Sequence, residues 1–242
     1  MTWSIVARDI SGAFGVAVAS KFFAVGALCP HAQSHVGALA TQALVNPLLA
    51  APALAGMAQH QDPEALLAVL LAADGGSANR QFHMVDDLGR GAAHTGASCI
   101  GWCGHTLRDG FSVAGNMLVG PQVIEATADS YATNTHLPFA ERLLTALAAG
   151  EAAGGDKRGK QAAALLVYTG QDYPALDLRV DDHPEPLLEL RRLYDVSLQR
   201  FQPFVECLPS RENPAGIVDR SVIEAHIEHF HATRKSTAGT SA

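Results

Sequence analysis

The order in which periodicity changes along this chain constrains the fold more than any other feature. Residues 2–8 and 13–19 read as short β-rich strands, and further strands are expected at 24–28 and 35–42. Asn46-Pro47 and Asp62-Pro63-Glu64 then each place an N-cap residue before a proline at the first helical position. They open helices to about residues 60 and 73, the first expected to kink at Pro52. Short strands follow at 80–86, 91–95, 105–108 and 111–116. Helices run from Gly120-Pro121 to about 131 and from Pro138 to about 149, then strands at 162–168 and 176–180 and an amphipathic helix at 186–201. Blocks of strands and helices in this order suit stacked sheets with helical outer layers, not regular βαβ alternation. No internal repeat or phosphate-loop motif is present.

At 48% hydrophobic and 17% charged residues the chain is globular and long enough for a sizeable core. A net charge of −7 argues against broad nucleic-acid binding. No apolar run reaches the ~20 residues that cross a bilayer, so no membrane partner is expected. The N-terminal residues lack a basic stretch leading into an uninterrupted apolar one, so no signal peptide is expected. Cys29, Cys99, Cys103 and Cys207 read as free thiols of a reducing cytoplasm, because Cys99-x3-Cys103 lacks the two-residue zinc spacing. A cysteine nucleophile at Cys99 or Cys103 stays open, with His94 and His105 near in sequence.

Thr2 carries the sharpest chemical signal. If Met1 is removed, Thr2 offers a hydroxyl nucleophile and a free α-amine on one residue. An amine of pKa about 8 is partly unprotonated near neutral pH and can accept the hydroxyl proton. The strands at 2–8 and 13–19 flank Asp9-Ile10-Ser11-Gly12, which has turn chemistry. If that tip is the turn, Arg8 pairs with Ala13, Thr2 lies opposite Ala19, and Lys21 falls on the face of Thr2, one diagonal step away. Its ammonium there would favour the neutral amine. A one-residue slip would instead put Ser20 opposite Thr2 and move Lys21 to the other face.

The runs Thr-x-Ser-Ile-Val-Ala-Arg-Asp (2–9), Gly-Val-Ala-Val-Ala-Ser-Lys-Phe (15–22) and Val25-Gly26 resemble an uncharacterised bacterial family, one of unknown function placed in the N-terminal-nucleophile (Ntn) hydrolase-like superfamily. The resemblance continues through Ala-Thr-Gln-Ala (40–43), Asn46-Pro47, His94-Thr95-Gly96 and Gly115-Asn116-Met117-Leu118. It is densest at Gly154-Gly155-Asp156-Lys157-Arg158-Gly159-Lys160-Gln161 and over residues 177–183. It implies an α+β fold of the four-layer αββα sandwich type over residues 1–205, and a homo-oligomer. Residues 206–232 then form an extension with a short helix at 221–231, and residues 233–242 a disordered tail.

Other residues suit the same chemistry or a structural role. Asn116 could donate its amide to a developing oxyanion or serve as a turn asparagine. Asp156, Arg158 and Gln161 sit in or beside a Gly-rich loop, where Arg158 could hold a substrate carboxylate or brace Asp156. Ser20 and Thr41 complete the substrate-binding candidates. A metal at Arg179, Asp181, Asp182 and His183, or at His226, His229 and His231, is less favoured than solvated turns and helix faces. The expected function is cleavage of a small amide or isopeptide bond, in a small-molecule amide or short peptide, through Thr2 after Met1 removal, with no metal or organic cofactor. The alternatives are a non-catalytic binding protein of the same fold and a cysteine- or metal-dependent hydrolase using His94, Cys99, Cys103 or His183.

Overall fold

A computed structural model describes residues 2–239, with side chains through Arg234. The chain forms two compact units, one ending at Leu190 and the other beginning at Arg191. The first is mixed α+β, with two antiparallel sheets.

Strands β1 (Thr2–Arg8) and β2 (Phe14–Ser20) form the opening hairpin. Strands β3 (Pro30–Gln33) and β4 (Gly37–Ala43) form a second. Helices α1 (Ala50–Ala58) and α2 (Pro63–Ala73) follow. Next come β5 (Arg80–Asp86), β6 (Gly91–Thr95), β7 (Trp102–Arg108) and β8 (Phe111–Leu118). Helices α3 (Gln122–Thr133) and α4 (Phe139–Ala152) precede β9 (Ala162–Tyr168) and β10 (Leu176–Val180). The sheet orders are β10-β9-β2-β1-β8-β7 and β3-β4-β5-β6, so β1 is paired along both edges.

Side-chain alternation along β1 sorts the core. Val6 joins Val16, Val18, Ala38, Ala40 and Val85 in an apolar cluster drawn from both sheets. Trp3 is fully buried on the other face, closely approached by Gly150 of α4. A further cluster joins Leu39, Phe82 and Met84 to Ala53, Met57 and Leu66 of α1 and α2. The Asp62 carboxylate caps α2, accepting from the N–H groups of Glu64 and Ala65 at 3.1 and 3.0 Å.

Several expectations need correction. The apolar run at 24–28 is a 3-10 turn over Val25–Ala27, entered through Ala24 in a left-handed conformation; short apolar runs do not separate strand from helix. Pro52 is the third residue of α1, where its missing N–H was never needed, so it marks the helix start and not a kink. The opening hairpin is one residue out of the expected register. The Asp9 N–H donates to Ala13 O and the Gly12 N–H to Asp9 O, at 2.8 and 2.9 Å. Ala13 therefore belongs to the loop, Arg8 pairs with Phe14, and Thr2 pairs with Ser20.

Helix α5 (Pro186–Ser197) ends earlier than expected and is followed by the short α6 (Phe201–Val205). Within the second unit α7 (Arg220–Gly239) is longer than the helix expected at 221–231. It takes in residues 233–239, expected to be disordered, since Ala232 and Arg234 are good helix formers. Residues 240–242 of that expected tail lie outside the described residues. The expected boundary near residue 205 falls inside this unit. Arg200 pairs with Glu224, and His226 with Glu206, within it.

Candidate active site

The corrected register brings two hydroxyls together. Ser20 lies opposite Thr2 on β2, and the two Oγ atoms are 3.0 Å apart. On the other side β8 places Asn116 opposite Thr2. The Asn116 Nδ2 donates to Thr2 O at 3.4 Å and to Gln81 Oε1 at 3.1 Å. Both amide hydrogens are thereby committed, so the expected oxyanion donor holds the Thr2 backbone instead. Thr2 is 6% exposed, at the end of a strand fixed on both edges.

Lys21 lies past the end of β2, out of the diagonal position expected for it, because of the one-residue shift. Its Nζ donates to Lys160 O at 3.1 Å and its backbone N–H to Asp156 Oδ2 at 3.0 Å. The Asp156 Oδ1 accepts from Arg158 N at 2.7 Å, and Arg158 Nη2 reaches Asp156 Oδ2 at 3.3 Å. Gln161 donates its N–H to Ser20 O at 3.0 Å and its Nε2 to Asp182 Oδ1 at 3.1 Å. The loop at 154–161 thus braces the chain at Ser20–Lys21 from behind. Asp156, Arg158 and Gln161 are not lining residues of the pocket that opens beside Thr2.

That pocket has a volume of about 150 Å³. Phe22, Val25, Leu28, Cys29, Leu44 and Val45 supply its apolar wall. Thr41 also lines it, but the Thr41 Oγ1 accepts from Asn46 N at 3.1 Å and donates to Asn46 O at 3.3 Å. A second pocket, of about 250 Å³, shares Ala43 and Leu44 and is lined by Asn116, Met117 and Cys99. Ala43 and Met117 have φ of 65° and 54°, and Ala24, beside Val25, has 52°. Left-handed backbone at non-glycine residues costs on the order of 1 kcal/mol each and tends to gather at functional sites. The wall at Leu44 is held from behind, with Arg80 Nη1 donating to Leu44 O at 2.6 Å and Asp74 Oδ2 accepting from Arg80 Nε at 2.9 Å. The Arg80 guanidinium keeps the Asp74 carboxyl down at about 2.

A buried polar network that sequence reasoning missed continues from Asn116. Gln81 Oε1 also accepts from Gln42 Nε2 at 2.8 Å. Gln42 Oε1 accepts from Ser4 Oγ at 2.7 Å, and Ser4 Oγ lies 2.8 Å from His83 Nε2. Since the Ser4 hydrogen goes to Gln42, His83 Nε2–H is the donor to Ser4; Nδ1 lies 3.0 Å from Ser112 Oγ, whose own hydrogen goes to Thr106 O at 3.3 Å. Burial pushes His83 down to about 3, so the ring is neutral. Gln81 and His83 stand two apart in a strand whose alternate residues, Phe82 and Met84, are core. That alternation was the available signal.

The remaining candidates lie elsewhere. His94 Nε2 is 2.9 Å from Ser77 O, and His105 Nδ1 is 2.8 Å from Thr95 Oγ1. Burial raises the Cys99 thiol above its ordinary value, the opposite of an activated thiolate. Arg179 pairs with Asp181, and His183 Nδ1 accepts from Glu185 N at 3.0 Å. Among the described residues no group of three or more His, Cys, Asp or Glu side chains could hold a metal ion, and no helix is long and apolar enough to cross a membrane.

No curated protein matches the chain. A crystal structure of a protein from Silicibacter pomeroyi, of family model DUF1028, is 30% identical with a TM-score of 0.84 and covers 90% of this chain and 96% of that one. Anbu, the ancestral β-subunit from Yersinia bercovieri, is 12% identical with a TM-score of 0.38, over 81% of this chain and 94% of that one, a likeness too remote to bear on function. The model of a family of unknown function, DUF1028, matches residues 2–190, the same stretch that folds as the first compact unit. The chain belongs to that family.

Proposed function

We propose that the protein is an amide hydrolase of the N-terminal-nucleophile type, built on a four-layer αββα sandwich, with Thr2 as nucleophile after removal of Met1. Met1 itself lies outside the described residues. The observation that carries the reading is the setting of Thr2: it stands at the end of a doubly paired strand, with its hydroxyl on Ser20 and its residue lining an apolar pocket. A terminus held this way has the fixed geometry that nucleophilic attack requires.

In this reading the Thr2 Oγ attacks the amide carbonyl carbon, and the hydroxyl proton passes to the Thr2 α-amine. The C–O bond forms, the C–N bond breaks, and the amine returns that proton to the leaving nitrogen. Water then attacks the ester, losing a proton to the α-amine, and the acid and the Thr2 hydroxyl are released. Ser20 orients the nucleophile. Asn116 positions the strand end, and the oxyanion falls to backbone N–H groups. Lys21 acts through its bond to Lys160 O, as part of the brace and not as the group that tunes the amine. The same reading places the enzyme in the cytoplasm as a homo-oligomer that takes a small amide or short peptide.

Intact mass of untagged protein tests the first requirement: loss of one methionine residue is expected, and retention of Met1 throughout would remove the free-amine mechanism. With processed protein, Thr2→Ala is expected to abolish hydrolysis of small amides while Thr2→Ser retains part of it. Full activity in Thr2→Ala would move the chemistry to another site. The cysteine alternative predicts thiol-reagent sensitivity instead, which the raised Cys99 thiol does not favour.

A further inference from the structure

We infer that the pocket beside Thr2 is a recognition subsite for an uncharged, apolar group of about the size of a benzene ring or a branched butyl chain, carried next to the scissile amide. The inference rests on the Thr2 reading for the word scissile, but the subsite stands on its own geometry.

Among the described residues, no acidic or basic side chain lines the pocket. Its polar lining residues are turned to other partners. Gln42 spends its amide on Ser4, at 2.7 Å, and on Gln81, at 2.8 Å. Thr41 spends its hydroxyl on both backbone groups of Asn46. Cys29 is buried, its Sγ lies 3.7 Å from Gln42 Oε1, and burial keeps the thiol neutral. What remains is Thr2, whose hydroxyl lies 3.0 Å from Ser20 Oγ, and an apolar wall. A volume of about 150 Å³ is the scale at which an apolar cavity holds benzene. The rim is apolar as well: Phe22, Leu28 and Leu44 are 54, 40 and 62% exposed. Side chains of this kind left in water at the mouth of a pocket gain burial when an apolar ligand enters. A carboxylate or ammonium would lose its hydration there with nothing to replace it.

The test is binding to Thr2→Ala protein, which separates recognition from catalysis. Phenylacetamide, isovaleramide, acetamide and succinamate are titrated against it by NMR of side-chain methyl groups. Phenylacetamide and isovaleramide are expected to bind at least tenfold tighter than acetamide or succinamate, about the gain from burying such a group. Leu28→Trp, and separately Leu44→Trp, fill the mouth from exposed positions and are expected to weaken phenylacetamide at least tenfold with unchanged thermal melting. Equal or tighter binding of succinamate, no detectable binding of either apolar amide, or indifference to both tryptophans would overturn the subsite. Selective binding without hydrolysis by processed wild-type protein would leave the subsite standing and count against Thr2 as nucleophile.

Discussion

The hydroxyl of Thr2 lies 3.0 Å from the hydroxyl of Ser20, in a place where both residues are nearly or fully buried. A buried hydroxyl without a partner turns to find one, and a nucleophile that turns is misaligned. Ser20→Ala is therefore expected to lower kcat about tenfold, the equivalent of a hydrogen bond of ~1.4 kcal/mol. KM should stay within about twofold, because Ser20 is not among the lining residues of the pocket. Steady-state kinetics on processed protein read the split, and a change confined to KM would assign Ser20 to substrate binding. This pair was visible in the sequence only as the consequence of a one-residue slip. The offset comes from the Asp9–Ala13 and Asp9–Gly12 hydrogen bonds, which take Ala13 into the loop. Turn type fixes register, and a five-residue loop with Gly12 at φ 86° is not separable by composition from a shorter one.

At the scale of elements, β1 is anchored to α4 through Trp3 and a glycine. Gly150 lies inside α4, where alanine would ordinarily stabilise by up to ~1 kcal/mol. A Cβ there would fall 2.3 Å from Thr127 Oγ1 and 2.8 Å from Trp3 Nε1. Thr127 is itself tied to Val123 O at 2.7 Å, and the Trp3 indole N–H is buried with no hydrogen-bond partner among the described residues. Neither can yield cheaply, so overpacking should win, with Gly150→Ala destabilising by about 1–3 kcal/mol in urea unfolding. A stabilised variant would show that α4 can move off the sheet. Most elements were legible, because caps and alternation are local: Asp62-Pro63 sets the start of α2, and the strands at 80–86, 162–168 and 176–180 have the bounds that alternation predicts. The pocket was not. Its wall joins Phe22 and Leu28 to Leu44 and Val45, and nothing local says that these two stretches meet beside Thr2.

Across the whole molecule, the polar network between the sheets ties stability to pH through His83. Ser4, Gln42, Gln81, His83 and Ser112 are all buried, so a proton added to the His83 ring would place a charge away from water. With its pKa lowered from 6.5 to about 3 in the folded protein, His83 binds a proton in the unfolded chain but not in the native one between those values. Stability is then fully present above about pH 6.5 and is lost as pH falls below it. From pH 7 to pH 5 the loss is expected to be on the order of 2 kcal/mol, read as a lower urea midpoint at unchanged slope. Burial also lowers His31 and His105, which add in the same direction. Asp74, held at about 2 by Arg80, titrates below this window and does not contribute to it. In His83→Gln the stability at pH 7 falls, since glutamine cannot reproduce both bonds, but the difference between pH 7 and pH 5 should shrink by more than half. An undiminished difference in that variant would place the acid sensitivity outside the network that holds Asn116 and, through it, the carbonyl of Thr2.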